Sequence, residues 1–263
     1  MFDRMLKGIR SYSLALQLVS RYNLWFWVIL PGLLALAIGG VVIAWGISAI
    51  DPLSTWMASI WSFEWPEWLH WLKTAIEMGT EILAGMIIVI LVLYSIKYLA
   101  IVLGAPFMGI LSERVEARLT GQPVPEASFS QILKDILRGL RLAVRNIVKE
   151  LFYTLLLTIG GLFIPVVGQI VSAVLIFLIQ AYYAGFGNMD FTLERRRYNL
   201  KESVNFANSY RWLAVGNGTG FLLLLLIPVV GMVLAPGLGC VAATADTIEA
   251  MDDKAYRRRL ATA

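Results

Sequence analysis

Guanidinium and carboxylate groups crowd two stretches of the chain: Glu113, Arg114, Glu116 and Arg118 in the first, Arg141, Arg145 and Glu150 in the second. Planar guanidinium forks bind tetrahedral oxyanions through paired N–H donors, so this set can gather a small anion at a vestibule or along a pathway. A solvated surface network of little energetic weight accounts for the same residues equally well. Other chemistry has less support. One histidine, His70, and one cysteine, Cys240, rule out an internal disulfide and leave no His/Cys set for zinc. No nucleophile has a base beside it, so we expect no catalytic residues, no metal and no cofactor, and a protein that is not an enzyme. Gly216-Asn-Gly-Thr-Gly220 lacks the Lys-Ser/Thr of a phosphate cradle and follows no strand, so its glycines are expected to serve close helix packing.

The elements that must position these residues are membrane elements. The chain is 59% hydrophobic and 15% charged, with a mean hydropathy of +0.72, which places it among all-α integral membrane proteins with the lipid bilayer as a partner. Its basic residues flank apolar runs rather than forming an aromatic-interleaved patch, so nucleic acid is not an expected partner. Residues 1–22 read as an interfacial amphipathic helix, with Phe2, Met5, Leu6, Ile9, Tyr12, Leu16 and Val19 on its apolar side. Residues 24–50 and 75–105 read as two long transmembrane helices, joined by a Trp-rich outer link at 51–74. Residues 107–150 read as amphipathic cytoplasmic helices, and 188–211 as a cytoplasmic link. Lys97 is expected to snorkel, and Glu194-Arg-Arg-Arg197 to face anionic lipid. Asp246 and Glu249 mark the membrane interface or pair with Arg257, Arg258 and Arg259 of the basic tail, 252–263.

One internal similarity carries more. Phe163-Ile-Pro-Val-Val-Gly168 returns after 63 residues as Leu226-Ile-Pro-Val-Val-Gly231, which predicts two helical hairpins, 151–187 and 212–251, with a common apex. Pro165 and Pro228 should stop each helix, and Gly168 and Gly231 should take the unusual dihedral that reverses it. The arm 151–164 spans roughly 21 Å, short of the roughly 30 Å hydrocarbon core, so the apices either re-enter or belong to ordinary crossing pairs. Twenty of the 22 Lys and Arg fall in residues 1–22, 107–150, 188–211 and 252–263. If each hairpin returns to the side it entered, all four segments and both termini are cytoplasmic.

Ala105-Pro-Phe107, Gly109, Leu111, Glu113 and Glu116-Ala-Arg-Leu-Thr-Gly121 resemble the signature of CysZ-type sulfate permeases and their etoposide-induced-protein relatives. The resemblance extends to Leu30-Pro31, Ile164-Pro165, Gly168-Gln169, Ile227-Pro228, Pro236, Cys240 and Ala243-Thr244. It implies two long transmembrane helices, two hemi-penetrating hairpins, homo-oligomeric assembly, a bacterial inner-membrane location and uptake of a small inorganic anion, sulfate first. Members that bind sulfate carry a Gly-x-Arg-Arg turn just before the first membrane helix. This chain has Asn23-Leu24-Trp25-Phe26 there, leaving Arg21, Tyr22 and Asn23 to supply a cation, a hydroxyl and an amide. A non-transporting membrane scaffold that organises partners or lipid is the alternative.

Overall fold

A computed structural model describes residues 2–60, 66–121, 129–164 and 166–252, apart from the side chains at 90, 93–103, 105 and 129–136. Every regular element among them is helical: α1 (Phe2–Arg21), α2 (Trp25–Ser48), α3 (Ile50–Ser59), α4 (His70–Thr120), α5 (Phe129–Leu162), α6 (Val167–Arg195), α7 (Leu200–Ser209), α8 (Arg211–Leu225) and α9 (Val230–Asp252). A short 3₁₀ turn covers Glu67–Leu69. Met1–Leu33 with Leu103–Ala263 form one compact unit, and Leu34–Val102 a second. Among the described residues three stretches are long and apolar enough to cross a membrane, Trp25–Ser59, Val167–Arg195 and Val230–Asp252. In the second unit Trp45, Trp56, Trp68 and Trp71 are exposed, as anchoring rings would be, whereas Trp61 and Trp65 lie outside the described residues. The basic tail beyond Asp252 and the Lys97 side chain lie outside them too.

The larger unit is a bundle whose helices approach through small residues. A Cβ on Gly218 of α8 would sit 1.7 Å from the Ala181 carbonyl oxygen of α6, and one on Gly216 would sit 2.1 Å from the Met5 carbonyl oxygen of α1. The glycine run of α8 is therefore a packing device, as expected, with α6 and α1 on different sides of it. Asn217, between those glycines, is satisfied inside the bundle: Asn188 Nδ2 donates to its Oδ1 at 2.9 Å, and its Nδ2 donates to the Gly239 carbonyl at 3.2 Å. Tyr12 donates its hydroxyl to the Asn217 carbonyl at 2.9 Å, and burial pushes that phenol far above its usual pKa. α1 thus buries a face of Gly8, Ser11, Tyr12, Ala15, Leu18 and Val19, while Phe2 and Leu16 from its expected apolar side stay exposed.

Element boundaries differ from the sequence expectation in several places: α3 falls in the expected outer link, α6 runs on to Arg195 through the start of the expected link 188–211, and α4 and α5 are longer than expected. α4 runs unbroken through Pro106 to Thr120, so the signature residues after 105 continue the long helix instead of opening a new one. α5 is likewise continuous for 34 residues, and the arm 151–164 is mostly the tail of this helix, not a short helix of its own. α7 starts where Asn199 and Glu202 form a reciprocal capping box: the Glu202 N–H donates to Asn199 Oδ1 at 3.0 Å and the Asn199 N–H to Glu202 Oε2 at 2.7 Å.

At the hairpin apices the unusual dihedral falls on valine, not glycine. Val166 has φ 62° and ψ −62°, and Val229, its repeat equivalent, has φ 59°. The Val230 N–H reaches the Pro228 carbonyl at 2.6 Å, closing a γ-turn around Val229. Gly168 and Gly231 have another role. A Cβ on Gly231 would meet the Leu224 carbonyl oxygen at 1.9 Å and one on Gly168 the Gly161 carbonyl oxygen at 2.9 Å, so these glycines let the two arms close. Pro165 itself lies outside the described residues.

Candidate functional site: an arginine-lined cleft

A cleft of about 560 Å³ opens between the α1–α2 junction and the last turns of α4. α1 ends at Arg21, and the chain turns through Asn23 at φ 53°, a left-handed conformation that asparagine tolerates better than most residues. The Leu24 N–H then returns to the Val19 carbonyl at 2.9 Å, and α2 begins. This turn presents Tyr22, Asn23, Leu24 and Trp27 to the cleft, and α4 answers with Glu113, Arg114 and Arg118 among others. Each arginine is held by a ring. The Arg114 guanidinium lies 4.5 Å from the Trp27 centroid, and those of Arg118 and Arg21 lie 5.5 and 5.7 Å from the Tyr22 centroid. Stacking restrains a guanidinium while leaving its in-plane N–H donors free for an anion. Glu113 is the cleft's one carboxylate, and burial pushes it above the usual carboxylate pKa against the pull of Arg195 and Arg114.

Four of the expected site residues are thereby brought together: Tyr22, Asn23, Glu113 and Arg118 line one cleft. Arg21 stands at its edge, exposed, over Tyr22. Glu116, one turn beyond Glu113, accepts from Arg195 at 2.7 Å and Arg196 at 2.5 Å. On α5, Arg141 is exposed, and Arg145 donates to Asn146 Oδ1 at 3.0 Å. Arg145 and Glu150 neighbour Tyr183, whereas Glu116 meets α6 near Arg195, about 18 Å further along that helix. The charged residues of the two stretches therefore do not form one network.

Two polar clusters were not legible beforehand. Arg138 of α5 donates to both oxygens of Asp190 at 3.0 and 3.1 Å, to the Tyr198 carbonyl at 2.7 Å and to Ser203 Oγ at 2.6 Å. The available signal was Asp190 itself, an acid between Met189 and Phe191 just past the expected end of the first hairpin, where a buried charge needs a partner. In the second cluster Arg195 donates to Ser112 Oγ at 2.7 Å, and Ser112 lies 2.8 Å from Thr244 Oγ1 and 3.2 Å from Thr192 Oγ1, all three hydroxyl residues being fully buried. Arg195 and Arg196 are thus committed to Glu116 instead of standing free as lipid anchors. At the end of α9, Asp246 accepts from Ser11 Oγ at 2.6 Å, and Glu249 pairs with Lys7 of α1.

The family model described as sulfate transporter CysZ/etoposide-induced protein 2.4 matches residues 12–236. Among curated relatives, the sulfate transporter CysZ of Pectobacterium atrosepticum is 28% identical over 238 residues, which covers 90% of this chain and 83% of that protein. The matched span contains the α1–α2 turn, the arginine-bearing end of α4 and both Pro-Val-Val-Gly apices. With its long apolar helices and most of its length covered, the chain belongs to the family of sulfate transporter CysZ and etoposide-induced protein 2.4.

Proposed function

We propose that this protein conducts a small inorganic oxyanion, sulfate first, across the bacterial inner membrane by a passive, channel-like route that the arginine-lined cleft feeds. The observation that carries the reading is the arrangement of Arg114 and Arg118 beside Tyr22, Asn23 and Trp27. The Gly-x-Arg-Arg turn of sulfate-binding relatives is replaced here by Asn23-Leu24-Trp25-Phe26, and α4 supplies two guanidinium groups to the same turn from outside it. An oxyanion entering the cleft meets two cations and one carboxylate whose pKa burial raises, so desolvation of the anion is offset by charge-assisted hydrogen bonds.

The hairpins are read as re-entrant, with both termini cytoplasmic and the protomers assembled as a homo-oligomer. Support for re-entrance comes from the apices, where Phe163 and Leu226 are 81% and 75% exposed, as side chains facing lipid would be. α8 has only 15 residues, about 22 Å of helix against a core of roughly 30 Å.

Radiolabelled sulfate uptake into liposomes holding the purified protein tests the function. Arg114→Ala with Arg118→Ala should abolish uptake, and Arg21→Ala or Asn23→Ala should reduce it less. Absence of flux for sulfate and related oxyanions in the unaltered protein would leave the scaffold reading standing. For re-entrance, cysteines placed at Val167 and Val230 in a Cys240→Ser background should resist an impermeant thiol reagent from the outer face. Ready labelling there would mean full crossings.

A further inference from the structure

Beside the cleft, Glu116 of α4 meets two arginines at the end of α6 that the transport reading leaves unused. Glu116 is bound on separate oxygens by Arg195 and Arg196, and its side chain is only 15% exposed. Glu116, Arg195 and Arg196 together carry a net charge of +1, with the Glu113 carboxylate also acting on Arg195 and the Arg196 side chain 41% exposed. A dianion would match the two guanidinium charges one for one once the carboxylate swings aside.

We propose that Arg195 and Arg196 form an inner oxyanion station, and that the Glu116 carboxylate is its resident counter-ion, displaced when a tetrahedral dianion such as sulfate arrives. The inference rests on the transport reading above. Three features support it. A carboxylate bridging two arginines presents its two oxygens as one edge of a tetrahedral oxyanion would. Arg195 is positioned independently of Glu116, because it also bonds the buried Ser112 hydroxyl, so its guanidinium keeps its place when the carboxylate leaves. Glu113 feels both Arg195 and Arg114 and lies one turn before Glu116, so the cleft and the inner pair adjoin along α4. Exchange of carboxylate for dianion avoids leaving either arginine bare at any stage, which a simple vacant site would not.

Calorimetric titration of inorganic sulfate into the full-length protein in detergent, paired with liposome flux, tests the station. Glu116→Gln removes the competing charge and keeps the size, so sulfate should bind about tenfold tighter while flux falls because release slows. Unchanged or weaker sulfate affinity in a folded Glu116→Gln protein overturns the proposal. Should that variant not fold, Arg196→Ala decides: Arg196 is the more exposed of the pair, and its loss should weaken sulfate binding about fivefold. Unaltered affinity there overturns the station and leaves the cleft reading intact. Failure of the unaltered protein to bind or conduct sulfate instead overturns the cleft reading itself.

Discussion

Arg138 grips Asp190 with both ends of its guanidinium, Nη2 to Oδ1 at 3.0 Å and Nη1 to Oδ2 at 3.1 Å, and so ties α5 to α6. The carboxylate side chain is 6% exposed and the guanidinium side chain 17%, so neither is well solvated. Removing one partner strands the other as a buried charge. Arg138→Ala or Asp190→Asn should cost about 3–5 kcal/mol, read as a large fall in thermal stability in detergent. The double variant Arg138→Met/Asp190→Leu should recover part of that loss, because it removes the charge that either single variant strands, although Glu194, 3.9 Å from Arg138 Nη1, also loses a cation.

The contact between α6 and α8 predicts a sharp contrast between neighbouring glycines. Gly218→Ala would drive a methyl to 1.7 Å from the Ala181 carbonyl, backbone that cannot move aside cheaply. It should destabilise the protein by about 1–3 kcal/mol. Gly187→Ala, on α6 with nothing within 4 Å of the added methyl, should be neutral or stabilise by roughly 0.5–1 kcal/mol through helix propensity. Thermal melts of the two variants side by side check the packing.

At the second apex, Val229 holds a positive φ that a β-branched residue adopts only at a cost of about 1–3 kcal/mol. Val229→Gly should therefore leave stability unchanged or raise it, despite the larger entropy of the unfolded glycine chain. Gly231→Ala, two residues on, should lower it, since its methyl would collide with the Leu224 carbonyl at 1.9 Å. If Val229→Gly also slows sulfate uptake, the strained turn serves transport and not only folding.

Glu113 supplies a pH dependence with a definite sign. Burial first, opposed by Arg195 and Arg114, raises its folded-state pKa above the unfolded value. Its contribution to stability is then fully present below the ordinary carboxylate range and is lost as pH rises through the raised value. Glu113→Gln should be more stable than the unaltered protein at neutral pH, and the difference should vanish on acidification. Anion binding should follow the same titration: protonation removes the cleft's one carboxylate, so sulfate should bind more tightly as pH falls, and Glu113→Gln should flatten that profile. Melts and sulfate titrations across mildly acidic to neutral pH provide the check.

Composition and the placement of apolar runs were sufficient to read a helical membrane protein, because lipid admits no irregular exposed backbone and every helix must declare itself by length and hydropathy. The repeated Pro-Val-Val-Gly marked both hairpin apices, and the glycines of 216–220 announced close packing, since both are local consequences of missing donors and missing side chains. Tyr22, Asn23, Glu113 and Arg118, which charge and resemblance single out in the sequence, line one cleft. Local pattern does not carry partnership. Nothing in the spacing says that Glu116 pairs with Arg195 and Arg196 while Glu113, one turn away, lines the cleft, because residues three apart share a helix face and only packing assigns the neighbour each one meets. Nor does it say that Asp190 meets Arg138 across 52 positions, or that the strained dihedral falls on Val229 and the close contact on Gly231. These were decided by the tertiary structure, where backbone approach and burial choose which charge is paired and which remains available to a ligand.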